Sequence, residues 1–251
     1  MRVYRMFFVS LMTLALLVAC SQNDTKEKTK EDVKKEQASE NKTTETQETE
    51  DEDSVLTAIK EKNKSLNSYH ANMDMTANLD ESEDEELNAE VDYIADDPPS
   101  IQLTSFDVLR MVSVDGKTYF NNNDAWVDIS DSVELNALFH ATYDNAVQYF
   151  DEIFNDLEKV EEDDEVKYVY EGNDGFIYNR LEKYLQVNFG TVNTSNHKTK
   201  IEFFVSKEDV IEKVKFSSDI EDEEGGIDLE GDIHYSDFNQ IKEITLPDPD
   251  M

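Results

Sequence analysis

Along residues 69–79 the side chains alternate without a break. Tyr69, Ala71, Met73, Met75, Ala77 and Leu79 are apolar, and His70, Asn72, Asp74, Thr76 and Asn78 between them are polar. A period of two is the mark of a strand with one dry and one wet face. Such a strand cannot stand alone. It needs hydrogen-bonded neighbours and an apolar layer against its dry side. The alternation resumes at Leu87, Ala89, Val91 and Tyr93 after the acidic stretch 80–86, which predicts an antiparallel hairpin.

The same reading places further strands at 101–106, 108–114, 117–121 and 125–129, with Asp115-Gly116 as a tight turn between two of them. A short amphipathic helix is predicted at 54–66, capped by Ser54 and carrying Val55, Ile59 and Leu66 on one side. Between residues 131 and 160 the period returns to 3.6. Leu135, Leu138, Phe139, Tyr143, Ala146, Val147, Phe150, Phe154, Leu157 and Val160 make one stripe, the longest predicted helix, with a break expected near Tyr143. Strands follow at 166–170, 200–206, 210–220 and 227–235, and 176–189 has no settled type. A single antiparallel sheet curled around the aromatic helix buries both apolar faces, so the fold class is α+β.

Ahead of this domain the chain changes character twice. Arg2 and Arg5 precede an apolar run over 6–18, too short for the roughly 20 residues of a membrane span, and polar sequence begins at Ser21. Residues 1–19 therefore read as a removable signal peptide. Leu17-Val18-Ala19-Cys20 has the form of a lipobox, whose thiol receives a diacylglyceryl group before cleavage leaves Cys20 as the new N-terminus. Cys20 is the one cysteine, so the chain forms no internal disulfide. Residues 20–53 hold almost no apolar side chain and read as a disordered charged tether, leaving 54–251 as one domain.

Charge excludes some functions. The chain has 59 acidic and 23 basic residues, a net −36. The leader contributes two arginines and the tether six lysines against twelve acids, so the domain holds 15 basic and 47 acidic residues, or −32. No basic stripe is left to follow a phosphate backbone, so nucleic acid is excluded as a partner. The same charge opposes adsorption on anionic headgroups and gives a strongly hydrated surface.

Candidate chemistry is sparse. His70, His140, His197 and His234 have no second ligand at a zinc spacing. Asp219, Glu221, Glu223 and Glu230 resemble part of a calcium loop, but Glu224 stands where the turn requires glycine. No serine sits in a nucleophile elbow, and no cysteine remains for thiol chemistry once Cys20 is lipidated. The sequence therefore points to a non-enzymatic protein with no cofactor and no metal site.

The chain resembles the LolA-like and LppX-like extracytoplasmic lipoproteins, in particular Gram-positive members with a lipobox, a charged tether and one such domain. The resemblance rests on Ser68-Tyr69-His70, on Asp115-Gly116-Lys117-Thr118-Tyr119 followed by Trp126, and on Phe203-Phe204-Val205-Ser206-Lys207-Glu208-Asp209 leading to Ile211 and Lys213. The closing Tyr235-Ser236-Asp237-Phe238-Asn239 through Ile241, Ile244, Leu246 and Pro247 also fits. It implies a half-barrel of antiparallel strands wrapped around helices, with a cavity for lipid tails or another apolar ligand. Met73, Met75, Trp126, Phe139, Tyr143, Phe150 and Phe154 are the cavity candidates. The pattern by itself allows them to line a cavity or to fill an ordinary core. Two functions follow: a membrane-anchored binder or carrier of a lipid, or a cell-surface interaction module with no ligand.

Overall fold

A computed structural model of the chain describes residues 48–79, 84–122, 125–132, 139–162, 165–187, 195–221 and 226–246. The signal peptide, Cys20 and most of the tether lie outside the described residues. The chain divides into two compact units, Met1–Ser54 and Val55–Met251, and the sheet with its covering helices belongs to the second.

Among the described residues eleven strands form one antiparallel sheet: β1 (Ser68–Leu79), β2 (Glu85–Ile94), β3 (Ser100–Ser105), β4 (Val108–Val114), β5 (Lys117–Asn121), β6 (Trp126–Asp128), β7 (Glu158–Glu162), β8 (Glu165–Gly172), β9 (His197–Val205), β10 (Ile211–Ile220) and β11 (Ile227–Ser236). Their order is β6-β5-β4-β3-β2-β1-β11-β10-β9-β8-β7. The sheet is open, with β6 and β7 as its edges, and is not closed into a barrel. The half from β1 to β6 is a meander of short connections, and in the half from β7 to β11 the strands β8 and β9 are joined by the longer stretch 173–196 that holds an α-helix. The halves join where β1 pairs with β11, so the two ends of the domain meet in the middle of the sheet.

The alternation in β1 sets the register. Tyr69, Ala71, Met73, Met75 and Ala77 are all at most 4 % exposed. Across β2 they face Tyr93, Val91, Ala89, Leu87 and Glu85, and across β11 Ala71, Met73 and Ala77 face Tyr235, Ile233 and Leu229. A slip of one residue would turn the whole row to water. Met75 faces Gly231, where an added Cβ would press on the Asp74 carbonyl oxygen and lie 2.8 Å from the Phe216 ring. The glycine makes room for that ring. Asp115 and Gly116, at φ 51° and 73°, form the tight β4–β5 turn predicted from sequence.

Among the described residues three α-helices complete the α+β fold: α1 (Glu48–Asn63), α2 (Tyr143–Ile153) and α3 (Gly175–Leu185). The first begins six residues before the predicted start at Ser54, inside the stretch read as tether. The second is much shorter than the helix predicted over 131–160. Thr142 caps its start by accepting from Asn145 N at 3.2 Å, and a 3₁₀ turn (Phe154–Asp156) ends it. Leu157 is already extended, and Val160 lies in β7, where it faces Lys167 of β8. Apolar spacing could not reveal this, because Leu157 and Val160 satisfy a helical period while the hydrogen bonds of an edge strand outweigh it. Residues 133–138 of the predicted helix lie outside the described residues. The segment without a settled type contains α3, capped by Asp174, which accepts from Phe176 N at 2.7 Å.

Candidate functional site

The apolar face of the sheet and the two helices on it form the site that the sequence points to. From α2, Tyr143, Ala146, Val147, Tyr149, Phe150 and Ile153 turn inward, and from α3, Ile177, Tyr178, Leu181, Tyr184 and Leu185. Both sets follow from spacings of three and four residues on helices of eleven.

The structure gathers three of the seven candidates into two clusters. Phe150, fully buried, lies against Phe154 at 5.2 Å between ring centroids, Tyr168 of β8 at 5.3 Å and Phe203 of β9 at 5.1 Å, edge-on in each case. Tyr143 lies among Tyr235, Phe238 and Tyr69 at 5.2, 5.3 and 6.0 Å. Met73 and Met75 share the same face of the sheet on β1, and Phe139 is buried just before α2. Trp126 is not brought to these helices. It is half-buried on β6, the edge strand five strands from β1.

Sequence reasoning missed the tyrosine hydroxyls that tie helix to sheet. Tyr143 N donates to Tyr69 Oη at 3.1 Å, and Ile211 N donates to Tyr143 Oη at 3.0 Å. Tyr235 Oη donates to the Ala141 carbonyl at 2.9 Å and accepts from Tyr184 Oη at 2.6 Å. These bonds fix the start of α2 and the end of α3 on β1, β10 and β11. Burial pushes Tyr69, Tyr149 and Tyr235 well above the ordinary phenol range, so the hydroxyls stay protonated and available as donors. The signal was present in sequence: tyrosine occupies apolar positions of β1 and β11, and a buried phenol needs a partner.

The far end of α2 is held differently. Besides the rings of Phe150 and Phe154, Lys60 of α1 bonds Asp151 at 2.5 Å, and Arg180 of α3 meets Glu152 at 3.0 Å. A gap of about 20 Å³ lies between α2 and α3, room for a single water. The apolar face of the sheet also runs on past the strands that α2 and α3 touch. Val91, Ile101, Leu103 and Met111, on β2, β3 and β4, are between 0 and 7 % exposed.

On the other face, His70 meets Asp92 at 2.8 Å and His234 meets Asp232 at 3.3 Å; His197 lies on the helix face, buried against the Tyr178 ring at 4.5 Å. Among the described residues no group of three or more His, Cys, Asp or Glu is arranged to hold a metal ion. Asp219 and Glu230 of the sequence's calcium candidates lie on strands, and Glu223 lies outside the described residues.

No protein-family model matches the chain, and no curated protein does. Several solved structures align over most of its length, two of them as follows. LprF from Mycobacterium bovis is 12 % identical with a TM-score of 0.42, covering 80 % of this chain and 97 % of its own. The LolA superfamily protein NE2245 from Nitrosomonas europaea is 13 % identical with a TM-score of 0.26, covering 78 % and 94 %. At this distance neither bears on ligand or site residues.

Proposed function

We propose that this protein is a lipoprotein held on the outer face of the cytoplasmic membrane through a diacylglyceryl group on Cys20, and that its domain binds a lipid or other apolar ligand between sheet and helices. The anchor is supported by the basic start, the short apolar run and the lipobox spacing. Two or more acyl chains make such an anchor firm, each buried methylene adding about 0.8 kcal/mol.

One observation carries the ligand reading: the sheet presents one broad apolar face, continuous from β8–β11 through β1 onto β2, β3 and β4. A helix is about 10 Å across and strands repeat about every 4.8 Å. Contacts from α2 and α3 fall on β1 and β8–β11, and the buried apolar row continues over three more strands, about 14 Å further. Acyl chains entering from that side would meet Met73 and Met75 on β1 and then the Phe150 and Phe154 end of α2. The tyrosine bonds would keep the other end of α2 in place.

A second reading has its own observation. Phe150 and Ile153 are fully buried among close-set rings, as in a filled core, and this favours an interaction module without ligand. A fluorescent fatty acyl probe separates the two. Saturable binding to a Cys20→Ser protein, weakened by Met75→Trp, supports the ligand; no saturable binding supports the module. Metabolic labelling with a fatty acid tests the anchor, since label surviving in Cys20→Ser would remove that assignment.

A further inference from the structure

The face of the sheet turned away from α2 and α3 carries an open trough of about 400 Å³, crossing β1, β11, β10, β9 and β8. Its volume lies within the range of small-molecule sites, roughly 300–1,000 Å³. Two cross-strand rows make its floor. In the first, Asn78, Asp228, Asp219 and Lys198 are successive neighbours in register. In the second, Glu230, Ser217 and Lys200 are, with Glu171 beyond.

The charges in these rows are sorted. The carboxylates of Asp228, Glu230 and Asp219 occupy β11 and β10, the two lysines occupy β9, and a fourth carboxylate, Glu171, stands beyond them on β8. Asp219 and Asp228 face each other directly, an arrangement that destabilises an antiparallel pair. Of the three carboxylates on β10 and β11, only Asp219 has a lysine as direct cross-strand neighbour. On the other wall, Lys198 meets Glu171 at 2.6 Å and Lys200 meets Glu202 at 3.2 Å. These pairs balance charge on β8, β9 and β10, but the facing aspartates leave Asp228 with no cation opposite it on either neighbouring strand.

We propose that this trough binds a short zwitterion, an extended peptide of about three residues with free ends, its ammonium group among Asp219, Asp228 and Glu230 and its carboxylate on Lys198 and Lys200. The length follows from the strands. From β11 to β9 is two strand spacings, about 10 Å, and three extended residues span about the same. An ammonium group relieves the facing aspartates, and the ligand carboxylate exchanges with Glu171 and Glu202 at lysines that already hold carboxylates. A simple anion meets three carboxylates on β10 and β11, and a simple cation leaves the lysine wall unused.

The site lies on the opposite face from the apolar-ligand reading and stands or falls separately. The test is a calorimetric and NMR titration of the full-length chain with trialanine, N-acetyl-trialanine, trialanine amide and 1,4-diaminobutane. The expected result is binding of trialanine, with either blocked end weakening it about tenfold or more and amide shifts confined to β8–β11 and the end of β1. The double variant Asp219→Asn, Asp228→Asn is expected to melt no lower than the parent while losing trialanine by a similar factor. Absence of trialanine binding, equal binding of the blocked peptides, diamine binding as tight as trialanine, or shifts elsewhere would each overturn the proposal.

Discussion

Phe150→Ala probes the helix–sheet interface at its most enclosed point. The side chain is fully buried and edge-on to Phe154, Tyr168 and Phe203 at 5.1–5.3 Å. Truncating such a phenylalanine costs about 3–5 kcal/mol, from lost transfer free energy and the cavity left behind. Each aromatic pair adds roughly 0.5–1.5 kcal/mol beyond area, which places this site toward the upper part of the range. For a domain of this size a kilocalorie moves the melting temperature by roughly 2–4 °C, so a fall of about 6–20 °C is expected. Urea unfolding should show the loss as a lower midpoint with an unchanged slope. Val127→Ala, 42 % exposed on β6, is the control and should stay within about 0.5 kcal/mol. A loss below about 1 kcal/mol at Phe150 would show that its ring borders open space and that the described packing is wrong.

Three further outcomes follow from the packing and the hydrogen bonds. Gly231→Ala should cost about 1–3 kcal/mol in thermal melts, because the new methyl meets the Asp74 carbonyl and the Phe216 ring. Tyr235→Phe should lose about 1–3 kcal/mol, since the Ala141 carbonyl and the Tyr184 hydroxyl both lose a buried partner. The hydrogen bond to Asp92 raises His70 above 6.5, so the pair's contribution is complete below about pH 6.5 and fades as pH climbs through the raised folded value. Proton NMR should find the His70 midpoint lower in Asp92→Asn, and an unmoved midpoint would show that the pair does not form in solution.

Strands whose faces differ were legible residue by residue. The β1 alternation, the hairpin to β2 and the Asp115–Gly116 turn all appear where the pattern predicts them, because one wet and one dry face leave a local trace. Long-range pairing leaves none. Nothing local to residues 68–79 says that they lie against residues 227–236, and it is this pairing that places Asn78 beside Asp228 and opens the trough. The 3.6-residue stripe was right that Tyr143, Ala146, Val147 and Phe150 of α2 turn inward, missed Tyr149 and Ile153, and was wrong about where the helix stops, since β8 offered Val160 a strand partner. α3 was missed although Asp174 and the spacing of Ile177, Leu181 and Leu185 marked it, because Gly175 and two nearby aromatics weakened the helical signal. At the site, Phe150 and Phe154 were visible as a stripe, whereas their partners Tyr168 and Phe203 become neighbours only through the β8–β9 pairing.

Binding of an apolar ligand by the domain is tested most directly by mass spectrometry of the Cys20→Ser protein, purified natively from cells and then extracted with organic solvent. Removing the acylated residue ensures that any lipid found was bound by the domain and was not its own anchor. One apolar species is expected near one equivalent per chain, displaced by the fluorescent acyl probe. A protein that carries no such species and takes up no probe would contradict the ligand reading and leave the interaction module in its place.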